Sequence, residues 1–141
     1  SQSGFTDVQI TRCVFFDNQY HGLFITGSWD TNAKGYANHN VLVKHCLAYE
    51  NTGDPEYLEN HSGSGMEIDN VQDARIDSCA AYRNGFLCNA KVGGPCGIWL
   101  HAADRAVISR CVAIGNRTGR GVDGAGFDLD GGTTNCRIEY C

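Results

Sequence analysis

One phrase keeps returning along this chain, and it limits the fold more than anything else in the sequence. Val8-Gln-Ile-Thr-Arg-Cys-Val-Phe-Phe-Asp-Asn18 comes back as Val41-Leu-Val-Lys-His-Cys-Leu-Ala-Tyr-Glu-Asn51. It comes back again as Ala74-Arg-Ile-Asp-Ser-Cys-Ala-Ala-Tyr-Arg-Asn84 and Ala106-Val-Ile-Ser-Arg-Cys-Val-Ala-Ile-Gly-Asn116, and Cys136-Arg-Ile-Glu-Tyr-Cys141 begins a fifth copy. The anchors Cys13, Cys46, Cys79, Cys111 and Cys141 lie 33, 33, 32 and 30 residues apart. Self-similarity at a period of roughly 20–50 residues is the mark of a solenoid, in which each repeat buries its apolar face only against its neighbours.

A second phrase completes each repeat: a glycine, then apolar and polar residues in alternation. Its copies are Gly22-Leu-Phe-Ile-Thr26, Gly65-Met-Glu-Ile-Asp69, Gly97-Ile-Trp-Leu-His101 and Gly126-Phe-Asp-Leu-Asp130. Period-two alternation predicts strands with one buried face, and no helical period competes with it. Two short strands per repeat, with the same residue types at each turn, predict strand stacked on strand. The pattern resembles the right-handed parallel β-helix of the pectin-lyase-like superfamily, whose coils read Ile-x-x-Asn/Cys-x-(apolar)-x-x-Asn and then Gly-Ile-x-(apolar). The expected fold is therefore all-β: a right-handed parallel β-helix of about four to five coils in one domain, residues 1–141. Fold alone fixes no activity.

Composition narrows the function. A net charge of -5 argues against a nucleic-acid partner, and no run of 18 apolar residues is present to span a membrane. No charged-then-apolar leader opens the sequence, so any export signal would have been removed or would lie outside it. Eight cysteines lean toward an oxidising, extracellular setting. The first repeat carries its long excursion at 28–40, with Trp29, Asp30 and Tyr36. The next three insert 52–64, 85–96 and 117–125 at one corner, ahead of the glycine strand. Long loops at one corner are expected to wall one face.

Beside that wall, period two turns two columns outward: Phe24-Glu67-Trp99-Asp128 and Thr26-Asp69-His101-Asp130. Close carboxylates repel, so four of them on one sheet point to a cation or to catalysis. Glu67, Asp69, His101, Asp128 and Asp130 are the candidate catalytic residues. Glu67 and Asp128 are two coils apart, about 9–10 Å at normal strand spacing, near the upper end of what suits inverting glycoside hydrolysis. His101 would be held cationic by the aspartates or would shuttle a proton. Trp99 and Phe24 offer surfaces for a sugar ring. Asp69, Asp128 and Asp130 also suit Ca²⁺, the ion with which the superfamily's lyases often grip uronates. Lyases of that superfamily use a Lys or Arg base; none stands in these columns, and Lys91 in the third-coil loop is the nearest candidate. The polygalacturonase signatures Asn-Thr-Asp, Asp-Asp, Gly-His-Gly and Arg-Ile-Lys are absent.

These residues point to a secreted carbohydrate-active protein, a polysaccharide lyase or glycoside hydrolase. The rival is a non-catalytic structural, adhesive, glycan-binding or filament-forming module. The anchor cysteines are expected to stack as small buried hydrophobes, with Cys88 and Cys96 pairing as a disulfide over the third-coil loop. Asn18, Asn51, Asn84 and Asn116 are expected to form an amide ladder, so Asn116 in Asn116-Arg-Thr118 would be hidden from glycosylation; Asn60-His-Ser62 is a second acceptor pattern. Phe16, Tyr49 and Tyr82 form an aromatic column ending at Ile114, expected to pack. The outward residues of the pre-cysteine strand, among them Lys44, Arg75 and Asp77, read as a solvated face. Solenoid ends need caps, so the chain is expected to belong to a longer β-helix or to self-associate end to end.

Overall fold

The computed structural model describes residues 4–27 and 35–141; Trp29 and Asp30 of the first excursion lie outside them. Among the described residues there are twelve strands and no helix, and every strand pairing is parallel. The solenoid makes about 4 turns.

Three strand segments rather than two make each coil. The glycine phrase gives β3 (His21–Ile25), the first half of β6 (Ser64–Asp77), β8 (Ile98–Asp104) and β11 (Phe127–Leu129). The residues ahead of each anchor cysteine give β1 (Thr6–Thr11), β4 (Asn38–Lys44), the second half of β6, β9 (Val107–Ser109) and β12 (Arg137–Glu139). Those after it give β2 (Val14–Phe16), β5 (Leu47–Tyr49), β7 (Ala80–Tyr82) and β10 (Val112–Ile114). The extra division falls at the residue before each cysteine: Arg12, His45, Ser78, Arg110 and Tyr140 all have φ between 52° and 58°. A left-handed residue turns the chain sharply, and the stacked neighbours hold it there against its conformational cost.

The core is a stack of identical layers. Val41, Val43, Met66, Ile68, Ile76, Ile98, Leu100 and Ile108 are all buried, each worth about 1.5–3 kcal/mol of apolar transfer. Asn51 and Asn84 are equally buried, and the amides run as a ladder: Asn18 Nδ2 donates to Asn51 Oδ1 at 2.8 Å, Asn51 to Asn84 at 2.8 Å and Asn84 to Asn116 at 2.7 Å. This ladder explains the recurring glycine. A Cβ on Gly65 would lie 2.3 Å from the Gly97 carbonyl oxygen and 2.9 Å from the Asn84 amide nitrogen, and Gly22 and Gly97 are crowded in the same way.

The anchor cysteines also stack, each backbone N–H meeting the next coil's Sγ at 3.3–3.5 Å. The expected Cys88–Cys96 disulfide is not there: both thiols are free and buried. The loop wall is held by hydrogen bonds between successive loops instead. Leu87 N donates to Thr52 O at 2.7 Å, Gly119 N to Cys88 O at 2.9 Å, and Arg120 N to Asn89 Oδ1 at 3.1 Å. The aromatic column forms as expected, on the outside of the solenoid. Phe16, Tyr49, Tyr82 and Ile114 are in register on the outer side of their sheet; Phe16 stacks on Tyr49 at 5.2 Å, yet Phe16 is 53% and Ile114 57% exposed.

Candidate functional site

Register places the two outward columns as the alternation requires. Phe24 pairs with Glu67, Glu67 with Trp99 and Trp99 with Asp128, while Asp69 pairs with His101. Asp130 follows Leu129, which pairs with Leu100, so it stands on the coil beyond His101. The loop wall closes over these columns to leave a cleft of about 420 Å³. Glu67, Asp69, Trp99 and His101 lie along it with Asp128 and Asp130, and Tyr20, Phe24, His61 and Asp123 also line it.

The face is not an open acidic sheet. Glu67, Asp69 and Trp99 are 2%, 1% and 4% exposed. Trp99 is therefore no flat platform for a sugar. Its indole N–H donates to Ser64 Oγ at 3.1 Å, and the His61 ring packs against it edge to face at 5.1 Å. Phe24 and Tyr20 remain accessible at the rim. Lys91 is exposed but is not among the residues that line the cleft.

Burial sets the charges. It pushes the Glu67 carboxyl up to about 8, against hydrogen bonding from Asp69 and Ser64, with the Asp130 charge adding to the rise. It pushes Asp69 up to about 9, reinforced by the neighbouring Glu67 charge. Neither Asp69 oxygen has a hydrogen-bond partner of good geometry, and orphaned buried polar groups cost about 1–3 kcal/mol each. Asp128 is also raised, by burial and then by Asp130.

The comparison with known proteins agrees with the coil geometry: residues 2–141 match the family model described as the right-handed beta helix region. The chain belongs to that family. No curated protein and no solved structure matches it.

Two residues of this right-handed β-helix were missed at the level of sequence, and both touch Glu67. His21 Nδ1 lies 3.2 Å and His61 Nε2 3.1 Å from Glu67 Oε2. His21 stands one residue ahead of its glycine, in register with Ser64, just outside the phrase that repeats. His61 sits in the loop 52–64, inside the Asn60-His-Ser62 triplet. A histidine ahead of a repeat glycine, and another in the next coil's wall loop, was the available signal. Among the described residues, His21, His61 and Glu67 are the group whose metal-donor atoms lie within 4.8 Å of one another. The expected calcium set Asp69, Asp128 and Asp130 shares the cleft but does not form such a group.

Proposed function

We propose that this β-helix is a glycoside hydrolase whose cleft takes a neutral polysaccharide. The observation that supports this is the arrangement of carboxyls on alternate coils of one walled cleft. Asp69 lies on the dry floor and Asp130 is exposed, with the His101 coil between them. Two coils separate them, about 9–10 Å between backbones at normal strand spacing. A shielded carboxyl to protonate the leaving oxygen, and a water-reached one to activate the nucleophile, are what inversion at a sugar carbon requires. Glu67 and Asp128 repeat the spacing one column over. Phe24 and Tyr20 at the rim supply apolar faces for sugar rings. Such a substrate fits a secreted protein.

A lyase acting on uronates is the weaker version. Among the described residues no Lys or Arg lines the cleft to offset a uronate carboxylate beside Glu67, Asp69, Asp123, Asp128 and Asp130. A specific observation favours the non-catalytic rival: the outer side of the β2–β5–β7–β10 sheet is apolar, with Val14, Phe16, Val112 and Ile114 exposed.

Incubation with a panel of neutral and uronate polysaccharides separates the readings. New reducing ends without an ultraviolet-absorbing unsaturated product support the hydrolase, and Asp130→Asn should then cut the rate by at least about 100-fold. An unsaturated product would assign a lyase. No turnover of any member of the panel, with Asp130→Asn indistinguishable from wild type, would move the protein to the structural reading.

A further inference from the structure

We infer that His21, His61 and Glu67 form a binding site for a divalent transition-metal ion, with zinc the best fit. The inference goes beyond the hydrolase reading and does not depend on it.

Two independent observations carry it. The first is convergence. One carboxylate oxygen, Glu67 Oε2, stands 3.2 Å from His21 Nδ1 and 3.1 Å from His61 Nε2. Ligands at about 2.0–2.1 Å on a tetrahedral zinc are themselves about 3.3 Å apart, so both separations match ligands of one ion, although the His61 contact is also a hydrogen bond. The His21 contact supports that view, because it is close without the alignment of a hydrogen bond. The second observation is the state of His21. Its side chain is 2% exposed, and neither ring nitrogen has a hydrogen-bond partner. A buried imidazole with neither nitrogen hydrogen-bonded is costly unless a cation takes its free lone pair.

The chemistry of the set chooses the ion. Two imidazoles and one carboxylate suit zinc and its neighbours, whereas calcium prefers six or more oxygens. The adjacent Asp69 is buried in the same cleft, two residues along the strand from Glu67. His61 and Glu67 line the cleft, so coordination positions not taken by protein face it. Three protein ligands with an open position is the pattern of a zinc site that holds a water. In that state Glu67 is a ligand and carries no acid–base duty, which leaves Asp69, Asp128 and Asp130 to meet a glycan.

The test titrates Zn²⁺, and separately Co²⁺, into chelator-treated protein, with calorimetry and the visible spectrum of cobalt as readouts. One equivalent should bind, and cobalt should show the intense bands of a low-coordinate site. Glu67→Gln preserves shape and His61→Gln sits on a loop, so both should fold by circular dichroism and weaken binding at least 10-fold. His45→Asn, at an exposed corner, should leave affinity unchanged. Absence of binding by wild type overturns the inference. So does binding that survives both cleft variants, which would put the ion elsewhere. Neither readout involves sugar, so failure here leaves the hydrolase reading standing, and failure of turnover leaves the metal site standing.

Discussion

A single strand, β6, carries two kinds of buried carboxylate. Asp77 near its end is 2% exposed, as buried as Glu67 and Asp69 near its start. Asp77 accepts from Ser109 Oγ at 3.1 Å and from the Arg110 guanidinium, with Lys44 Nζ 3.6 Å away. Burial pushes its carboxyl up, but Ser109, Arg110 and Lys44 outweigh that and hold it below the usual range. Asp104, one face over, is likewise held low, by hydrogen bonds from Asn135 and Gln72. At the other end of β6 the carboxyls are raised, beside imidazoles that are buried neutral. Burial takes His21 down to about 3, with the His61 ring adding to it. Fold and strand are the same in both places; only the partners differ. Where the carboxylate serves the fold, neighbouring coils supply cations and hydroxyls. Where the coils supply histidines, a tryptophan and more carboxyls, the site stays unsatisfied, which is the condition of a group kept for a ligand.

The largest test of this contrast is pH, in the presence of a chelator. Glu67 and Asp69 bind protons more tightly folded, at about 8 and about 9, than unfolded near 4. Their contribution to stability is complete below pH ~4 and is lost as pH rises through those values. His21 acts in the opposite sense: its contribution is complete above pH ~6.5 and lost as pH falls toward about 3. Denaturant titrations should show stability falling from about pH 7 to 9, by up to about 1.4 kcal/mol per pH unit for each proton released. The double variant Glu67→Gln/Asp69→Asn should abolish that fall. A wild-type curve flat over the same interval would remove the contrast.

Mutation at the two ends of β6 should then give opposite signs. Asp77→Asn leaves Arg110 and Lys44 without their carboxylate. Both cations are nearly half exposed, at 48% and 41%, so water recovers part of the loss and the cost is about 1–2 kcal/mol at pH 7. Asp69→Asn removes a carboxyl that must take up a proton to stay buried, so stability at pH 7 should hold or rise. Chemical denaturation of the two variants side by side reads both signs. A loss of comparable size in each would make Asp69 a structural residue like Asp77.

The fold was open to reading because its determinants repeat. Cysteine, asparagine and glycine each recur at a position where one residue type fits: the sulfur that accepts an N–H, the amide that bonds its copy, the missing Cβ that makes room for that amide. The left-handed corners were hidden for the converse reason. Arg12, His45, Ser78, Arg110 and Tyr140 share one backbone conformation among four different side chains, so no pattern of residue types reports them. The outward columns at the site followed from period two. Their burial did not, because it depends on how three loops of unlike sequence fold over the sheet. His21 and His61 were hidden most deeply: they occur once each, outside both phrases, and meet only because coils stack.

The smallest expected effect concerns the wall that creates the contrast. With Cys88 and Cys96 free, a reductant should leave the melting temperature unchanged, and linked Cys88 and Cys96 peptides in an unreduced digest would contradict the structure. Hydrogen bonds between successive loops then carry the closure, and Asn89 is central to them. Its Oδ1 accepts from Arg120 N at 3.1 Å, and its Nδ2 donates to Pro55 O at 3.4 Å, so one side chain ties all three loops together. Asn89→Ala should cost only about 1 kcal/mol, because the freed backbone groups lie near solvent. Its consequence for the site should be larger than its cost. A looser wall admits water to Glu67 and Asp69, and since burial is the first cause of their raised values, both should move back toward the usual carboxylate range. The fall in stability between pH 7 and 9 should therefore become shallower in Asn89→Ala, and His21, rewetted with them, should lose less on the acid side. A variant that loses stability equally at every pH would show that the wall braces the solenoid without drying the cleft.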